Sequence, residues 1–323
     1  MMNRLKKAIM VIVLFVFAVG PQVFAQEMEL PEQVMAAHPN LHPEGIEWDA
    51  ANGRFLVGSL TEGTIFTVAD DGTVTPFIED ENLISSIGIH IDAANNRLLV
   101  ASSDLAAAGD ENLMGSAALG AYDLTTGEPV YFADLGALLP EGRHFANDIA
   151  VDPDGNAYVT DSMSPVIYKV TPEGEASIFT QNDLFAVEGF GLNGIEYHTD
   201  GYLLVAVSES QSLYKIPLDD PENVMAVELS EPFGGDGIII NPDDGHLFVV
   251  AATEAGSELL EVASEDAYAT AEIVNRAVLD DSLAPTTAAI RDGAVYVVHA
   301  HFDELFTGQP VDAFEISRVD FGM

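Results

Sequence analysis

Glu44, Asn147, Asn193 and Asp236 each open a copy of one recurring phrase, with an isoleucine two positions on, and between them offer two carboxylates and two amides. Oxygen-only sets suit a hard cation, and Ca2+ fills about six to eight positions from such groups and water. Two carboxylates gathered away from water are costly unless a cation lies between them. Asn, Asp and Gly also serve the turns that lead into strands, a plainer role that Gly45, Gly194 and Gly237 fit; Glu44 is a poor turn residue. A cation with open positions would stabilise charge developing on a carbonyl or phosphoryl oxygen. Asp236 is then the leading candidate for a nucleophile or water-activating base. Glu44 comes second, and is otherwise a pure ligand.

The phrase runs through the whole chain. It reads Glu44 to Val57, Ile87 to Val100, Asn147 to Val159, Asn193 to Val205 and Asp236 to Val249, with a degenerate sixth copy starting near Thr287. The starts are 43, 60, 46, 43 and 51 residues apart, and a four-stranded propeller blade takes about 40–50. Each copy is an apolar strand, a Gly/Asn/Asp turn and a β-branched strand, the signature of a hairpin. The first copy continues through Ile65–Val68, an Asp70-Asp71-Gly72 turn and Val74–Ile78, which makes four strands. No segment carries a convincing helical period. The fold class is therefore all-β, a six-bladed propeller with four-stranded antiparallel blades. The stretch Glu32 to Ala37 is expected to supply the outer strand of blade six and close the ring.

In a propeller the first residue of each innermost strand faces the central channel, so the ring comprises Glu44, Ile87, Asn147, Asn193, Asp236 and Thr287. Residues after the second strand return to the same face and should rim the pocket: Ser59, Asp161, Ser162, Ser208, Glu209 and His299 or His301. Asp161 and Ser208 are thus candidate substrate contacts, and His299 a candidate proton acceptor. A rim histidine without catalytic duty is the alternative. His42, His90, His144, His198 and His246 form no metal-spaced set and read as surface or turn-adjacent residues. The runs Asp152–Asn156 and Asn241–Gly245 are hairpin turns, not calcium loops, since neither has EF-hand spacing. The excess length of blade two, around Ser102–Ser116, falls on the ligand face, either as a lid or as a disordered decoration.

Arg4, Lys6 and Lys7 precede an apolar run from Ala8 to Gly20 and a small-residue end at Ala25. This describes a secretory signal peptide over residues 1–25, with the propeller over 26–323 and the mature protein secreted or periplasmic. The apolar run is shorter than the ~20 residues of a spanning helix. Cysteine is absent, so disulfides and thiolate metal sites are unavailable to this chain. Beyond residue 25, 53 acids face eight bases, a formal charge of −45. Such a surface repels phosphate backbones and anionic lipid, so nucleic acid and membrane are poor partners, and the expected partner is a small-molecule substrate of the ring. A salty medium, or solubility alone, accounts for the charge.

The ring Glu44, Asn147, Asn193 and Asp236, with the phrases Phe145-Ala146-Asn147-Asp148-Ile149 and Leu192-Asn193-Gly194-Ile195, resembles the calcium-dependent phosphotriesterase superfamily over essentially the whole mature chain. That group includes the gluconolactonase/luciferin-regenerating family, diisopropylfluorophosphatase and the paraoxonases. The resemblance implies one catalytic Ca2+ in the channel and hydrolysis of a lactone, ester or phosphotriester. It also implies that Asn147 serves as a ligand or as a substrate contact. Sugar lactonases carry an arginine where Phe145 stands, which turns the expectation towards an apolar substrate. Paraoxonases carry a catalytic histidine where Ile87 stands. They also hold a second calcium through residues that here are Gly45 and Gly237, although Asp148 is kept. A non-catalytic ligand- or partner-binding propeller with a structural calcium is the rival reading.

Overall fold

An aspartate at the end of three of the inner strands builds the turn that follows. Asp49 accepts from the Asn52 amide and from Arg54 Nε, Asp92 from Asn95 and Arg97, and Asp152 from the backbone N–H groups of Asp154 and Asn156. These carboxylates are taken up by backbone and side-chain donors of their own hairpins, so the acidic runs are turns, as their spacing indicates. Between such turns the apolar alternation gives strands.

The structure is a computed structural model and describes residues 30–321; the expected signal peptide over residues 1–25 lies outside the described residues. From Pro31 on, six sheets follow one another, each built on four antiparallel strands; a short parallel strand adds a fifth to blades three and five. Blade one comprises Ile46–Asp49, Arg54–Val57, Ile65–Val68 and Val74–Ile78. Blade three runs from its inner strand His144–Val151 out to Ala176–Gln181. Blade six is completed by Gln33–Ala36, which pairs antiparallel with Phe314–Val319, Gln33 opposite Ser317. The stretch before blade one thus closes the ring. Apolar side chains fill the seams between blades. At the closing seam, Phe55, Val57 and Phe66 of blade one pack against Tyr296, Val298 and Phe314 of blade six.

Two short helices interrupt the strands: α1 (Ala106–Gly109) and α2 (Phe302–Thr307). α1 lies in the long excursion of blade two. This excursion is tied down, because Gly115–Ser116 adds a parallel pair to His144 and Phe145 of blade three. The Arg143 guanidinium donates to the Leu113, Ala107 and Asp110 carbonyls.

One irregularity recurs and positions the site. In blades two to six the inner ladder slips, so that two residues face one: Asn147 and Asp148 fall between the pairs Ala146↔Asp161 and Ile149↔Val159. Such a β-bulge re-aims side chains, here at the strand entry that faces the channel. The second bulge residue lies against the next blade. A Cβ on Gly45 would come within 2.5 Å of the Ile87 carbonyl oxygen, and one on Gly194 would collide with that of Asp236. Close packing thus requires glycine at these two positions.

The register also corrects the sixth ring position. Ala288 pairs with Val297 as Ile46 pairs with Val57, so the equivalent of Glu44 is Thr286, and Thr287 takes the place of Gly45. Thr286 is buried and donates to the Glu44 carbonyl at 2.8 Å.

Candidate functional site

Glu44, Asn147, Asn193 and Asp236 line one cavity of about 450 Å3 at the channel mouth, joined by Ile87, Phe145 and Ser208. The orientation of both amides follows from their neighbours. Ser162 Oγ spends its proton on the Leu192 carbonyl (2.7 Å) and so can only accept from Asn147, whose Nδ2 lies 2.9 Å away. Ser208 Oγ likewise donates to the Gly235 carbonyl (2.7 Å) and accepts from Asn193 Nδ2 at 3.0 Å. Each amide NH2 is held by a hydroxyl, which leaves Oδ1 for other company. Asn147 Oδ1, Asn193 Oδ1 and Glu44 Oε2 are all buried without any hydrogen-bond donor. A buried acceptor without a partner is costly, and three around one cavity describe a place that lacks positive charge.

The carboxyls feel the same lack. Burial, reinforced by Asp236 and Asp148, pushes the Glu44 carboxyl well above the ordinary range. Burial lifts Asp236 to about 7, against a hydrogen bond from Asn193 that pulls it down. With a divalent cation between them both would ionise. The donor set is hard oxygen, suited to Ca2+, and the orphaned atoms belong to the residues that would hold it.

Deeper in the channel lies a second acidic group that the sequence reading passed over: Glu47, Asp148 and Glu196, with His90. Glu47 Oε1 accepts from the Ile91 N–H at 3.2 Å and lies 3.3 Å from His90 Nδ1. Asp148 accepts from the N–H groups of Ile149 and Ile195. Burial raises Glu47 and Asp148 to about 7 and Glu196 well above its usual range, and holds His90 down at about 4, hence neutral. Glu47, His90 and Glu196 each stand three residues after a ring position, and that interval was the available signal.

Other candidates sit elsewhere. Asp161 is fully buried within blade three, where it accepts from His144 Nδ1 (2.8 Å), the Tyr168 hydroxyl and the N–H groups of Phe145, Met163 and Ser164. It organises the loop that carries Ser162 and does not line the cavity. His299 is buried, its two ring nitrogens lack partners, and burial drives its pKa down to about 4; it too is absent from the cavity wall. His301 bonds Glu315 at 2.7 Å. Ser59 donates to the Leu41 carbonyl, and Glu209 is exposed. Three histidines read as surface or turn-adjacent are inside. His42 bonds the Ala300 carbonyl, His90 faces the channel and His144 joins Asp161. Asp244, His246 and Glu261 do cluster at the far turn of blade five, but there His246 and Asn275 already bond Glu261.

Above the ring the wall is apolar. Leu60, Ile87 and Phe145 form its buried part; Leu105 and Ala108 of the α1 excursion, Phe190 and Phe302 pack on them. Except for Ile87, these come from segments outside the repeat phrase.

No family model matches this chain, and no curated protein matches its sequence. Solved structures do. The major allergen Mala s 1 of Malassezia sympodialis is similar with a TM-score of 0.77 and 18% identity, over 90% of this chain and 97% of that one. Regucalcin of Agrobacterium tumefaciens strain C58, described as a calcium-binding protein, gives 0.58 and 17% over 90% and 95%. A gluconolactonase of Xanthomonas campestris gives 0.56 and 14% over 88% and 87%. At these identities the likeness speaks for the fold: the chain is a six-bladed β-propeller whose structural neighbours include regucalcin and a gluconolactonase.

Proposed function

We propose that this chain is an exported calcium-dependent hydrolase of lactones, esters or phosphotriesters, acting at the mouth of the central channel. One observation carries the reading: three buried acceptor atoms, on Glu44, Asn147 and Asn193, lack donors and belong to residues that line one cavity together with Asp236. These four residues would hold Ca2+. When bound, the cation would polarise a carbonyl or phosphoryl oxygen and stabilise the charge that develops there. Ser162 and Ser208 keep the amide oxygens turned to that task. As a base, Asp236 takes a proton from water, the hydroxide oxygen bonds to carbon or phosphorus, the bond to the leaving oxygen breaks, and the proton passes to that oxygen. As a nucleophile, its own oxygen bonds first to carbon or phosphorus as the bond to the leaving oxygen breaks; that oxygen takes a proton from water, and the hydroxide so formed cleaves the intermediate and frees the carboxylate. Glu44 is a ligand, and the alternative base. The calcium-binding and gluconolactonase descriptions of two structural neighbours support the choice of metal and reaction. The basic-then-apolar start of the chain supports export.

A second reading, a non-catalytic ligand- or partner-binding propeller with a structural calcium, has one observation in its favour: among the described residues, no histidine lines the cavity. Bound calcium is to be measured by calorimetry and elemental analysis, and turnover on a panel of lactones, aryl esters and organophosphates. One equivalent of calcium and chelator-sensitive turnover are expected. Bound calcium with no turnover on any substrate decides for the second reading.

A further inference from the structure

The cavity has two unlike sides. Blades six, one, two and three line it with large apolar groups: Phe302 and Phe306 of α2, Leu60, Ile87 and Phe145, with Phe190 from the loop that enters blade four. Phe145 and Phe190 meet edge to face at 5.1 Å, and Phe302 and Phe306 lie 5.8 Å apart at the mouth. Phe306 is 62% exposed although it lines the cavity, so it keeps apolar area that a ligand can cover. Above the ring, blades four and five contribute Ser208, Gly234, Val250, Ala251, Ala252 and Ser257, none of them aromatic. Among the described residues, no lysine or arginine lines either side. Above the ring, the large-residue side offers no hydroxyl, amide or charge to a polar group, which would lose its water there without compensation.

We infer that the substrate is neutral and carries a flat or extended apolar group, aryl or medium-length alkyl, seated between the Phe145–Phe190 pair and α2. Its reacting centre then lies over the ring, and the departing group leaves across the smaller residues of blades four and five. This rests on the hydrolase reading for the word substrate, but the recognition can be tested without turnover. Phe145, Phe190, Phe302 and Phe306 are the specificity determinants. A polyhydroxylated lactone of similar size lacks any group that pays for its dehydration.

The test uses two unreactive neutral probes on the calcium-loaded protein: 4-phenylbutan-2-one, with a carbonyl and an aryl group, and 1,5-anhydro-D-glucitol, a cyclic polyol. Calorimetry should show the ketone binding at least about 10-fold tighter than the polyol, and Phe302→Ser and Phe306→Ser each weakening the ketone by about 5–50-fold, as expected for uncovering one phenyl face. Phe306 is exposed and Phe302 only half-buried, so both variants should fold, which melting curves verify. Equal or tighter binding of the polyol overturns the inference, as does unchanged ketone affinity in both variants. Tight, phenylalanine-dependent ketone binding without turnover of any lactone, aryl ester or organophosphate in the panel would uphold this recognition and overturn the hydrolase reading alone.

Discussion

The channel contains two acidic layers built on the inner strands of the blades, and they behave differently. In the lower layer Glu47 and Asp148 accept backbone N–H groups, and a carboxyl that still lacks company can take up a proton, as values near 7 for Glu47 and Asp148 imply. In the upper layer the amide oxygens of Asn147 and Asn193 have no such escape. An amide does not protonate at ordinary pH, and two serines stop it from turning its NH2 inward. Burying acid is therefore weak grounds for a metal, whereas burying locked amide oxygens is strong grounds.

The sharpest way to break this contrast is to neutralise one acid in each layer. Asp236→Asn, at saturating Ca2+, should lower turnover about 100-fold or more, while Glu196→Gln should change it by less than about threefold. Comparable losses would mean that the two layers act as one. A smaller effect is expected at the hydroxyls. Ser208→Ala frees the Asn193 amide to rotate, so calorimetry should show calcium affinity falling about 10-fold, with calcium-free stability changed by only about 1 kcal/mol. Unaltered affinity would show that something else fixes the amide. The smallest effect concerns pH. Folded Glu47 keeps its proton up to about 7, against an ordinary 4.5, so between those values the unfolded chain has released a proton that the folded chain retains. Stability from this group is full below about 4.5, declines as pH rises and levels off above about 7. In calcium-saturated protein, Glu47→Gln should flatten the fall in melting temperature between pH 5 and pH 8. An unchanged slope would remove Glu47 as a source of that fall.

The repeat made the upper ring readable, because each ligand opens a copy of one phrase. It misplaced the sixth position by one residue, since a bulge admits an extra residue and the last copy is degenerate; the backbone pairing selects Thr286 over Thr287. The lower layer was missed because reading stopped at the strand entry. The Asp161 network escaped notice since its partners, His144 and Tyr168, come from different strands of blade three and meet only when the sheet forms. The aromatic wall was illegible for another reason: Leu105, Phe190 and Phe302 lie in excursions that no repeat constrains, and only packing brings them together.

The pairing of Gln33–Ala36 with Phe314–Val319 has a consequence for assembly. A chain arriving in order can complete blades one to five as each becomes available, but the circle stays open until its most distant partners in sequence have met. Until then, Phe314–Val319 presents a bare edge, and the early strand waits without a sheet. Two such open circles in proximity hold matching halves, so crowded unclosed molecules can exchange first strands and emerge as an interlocked pair.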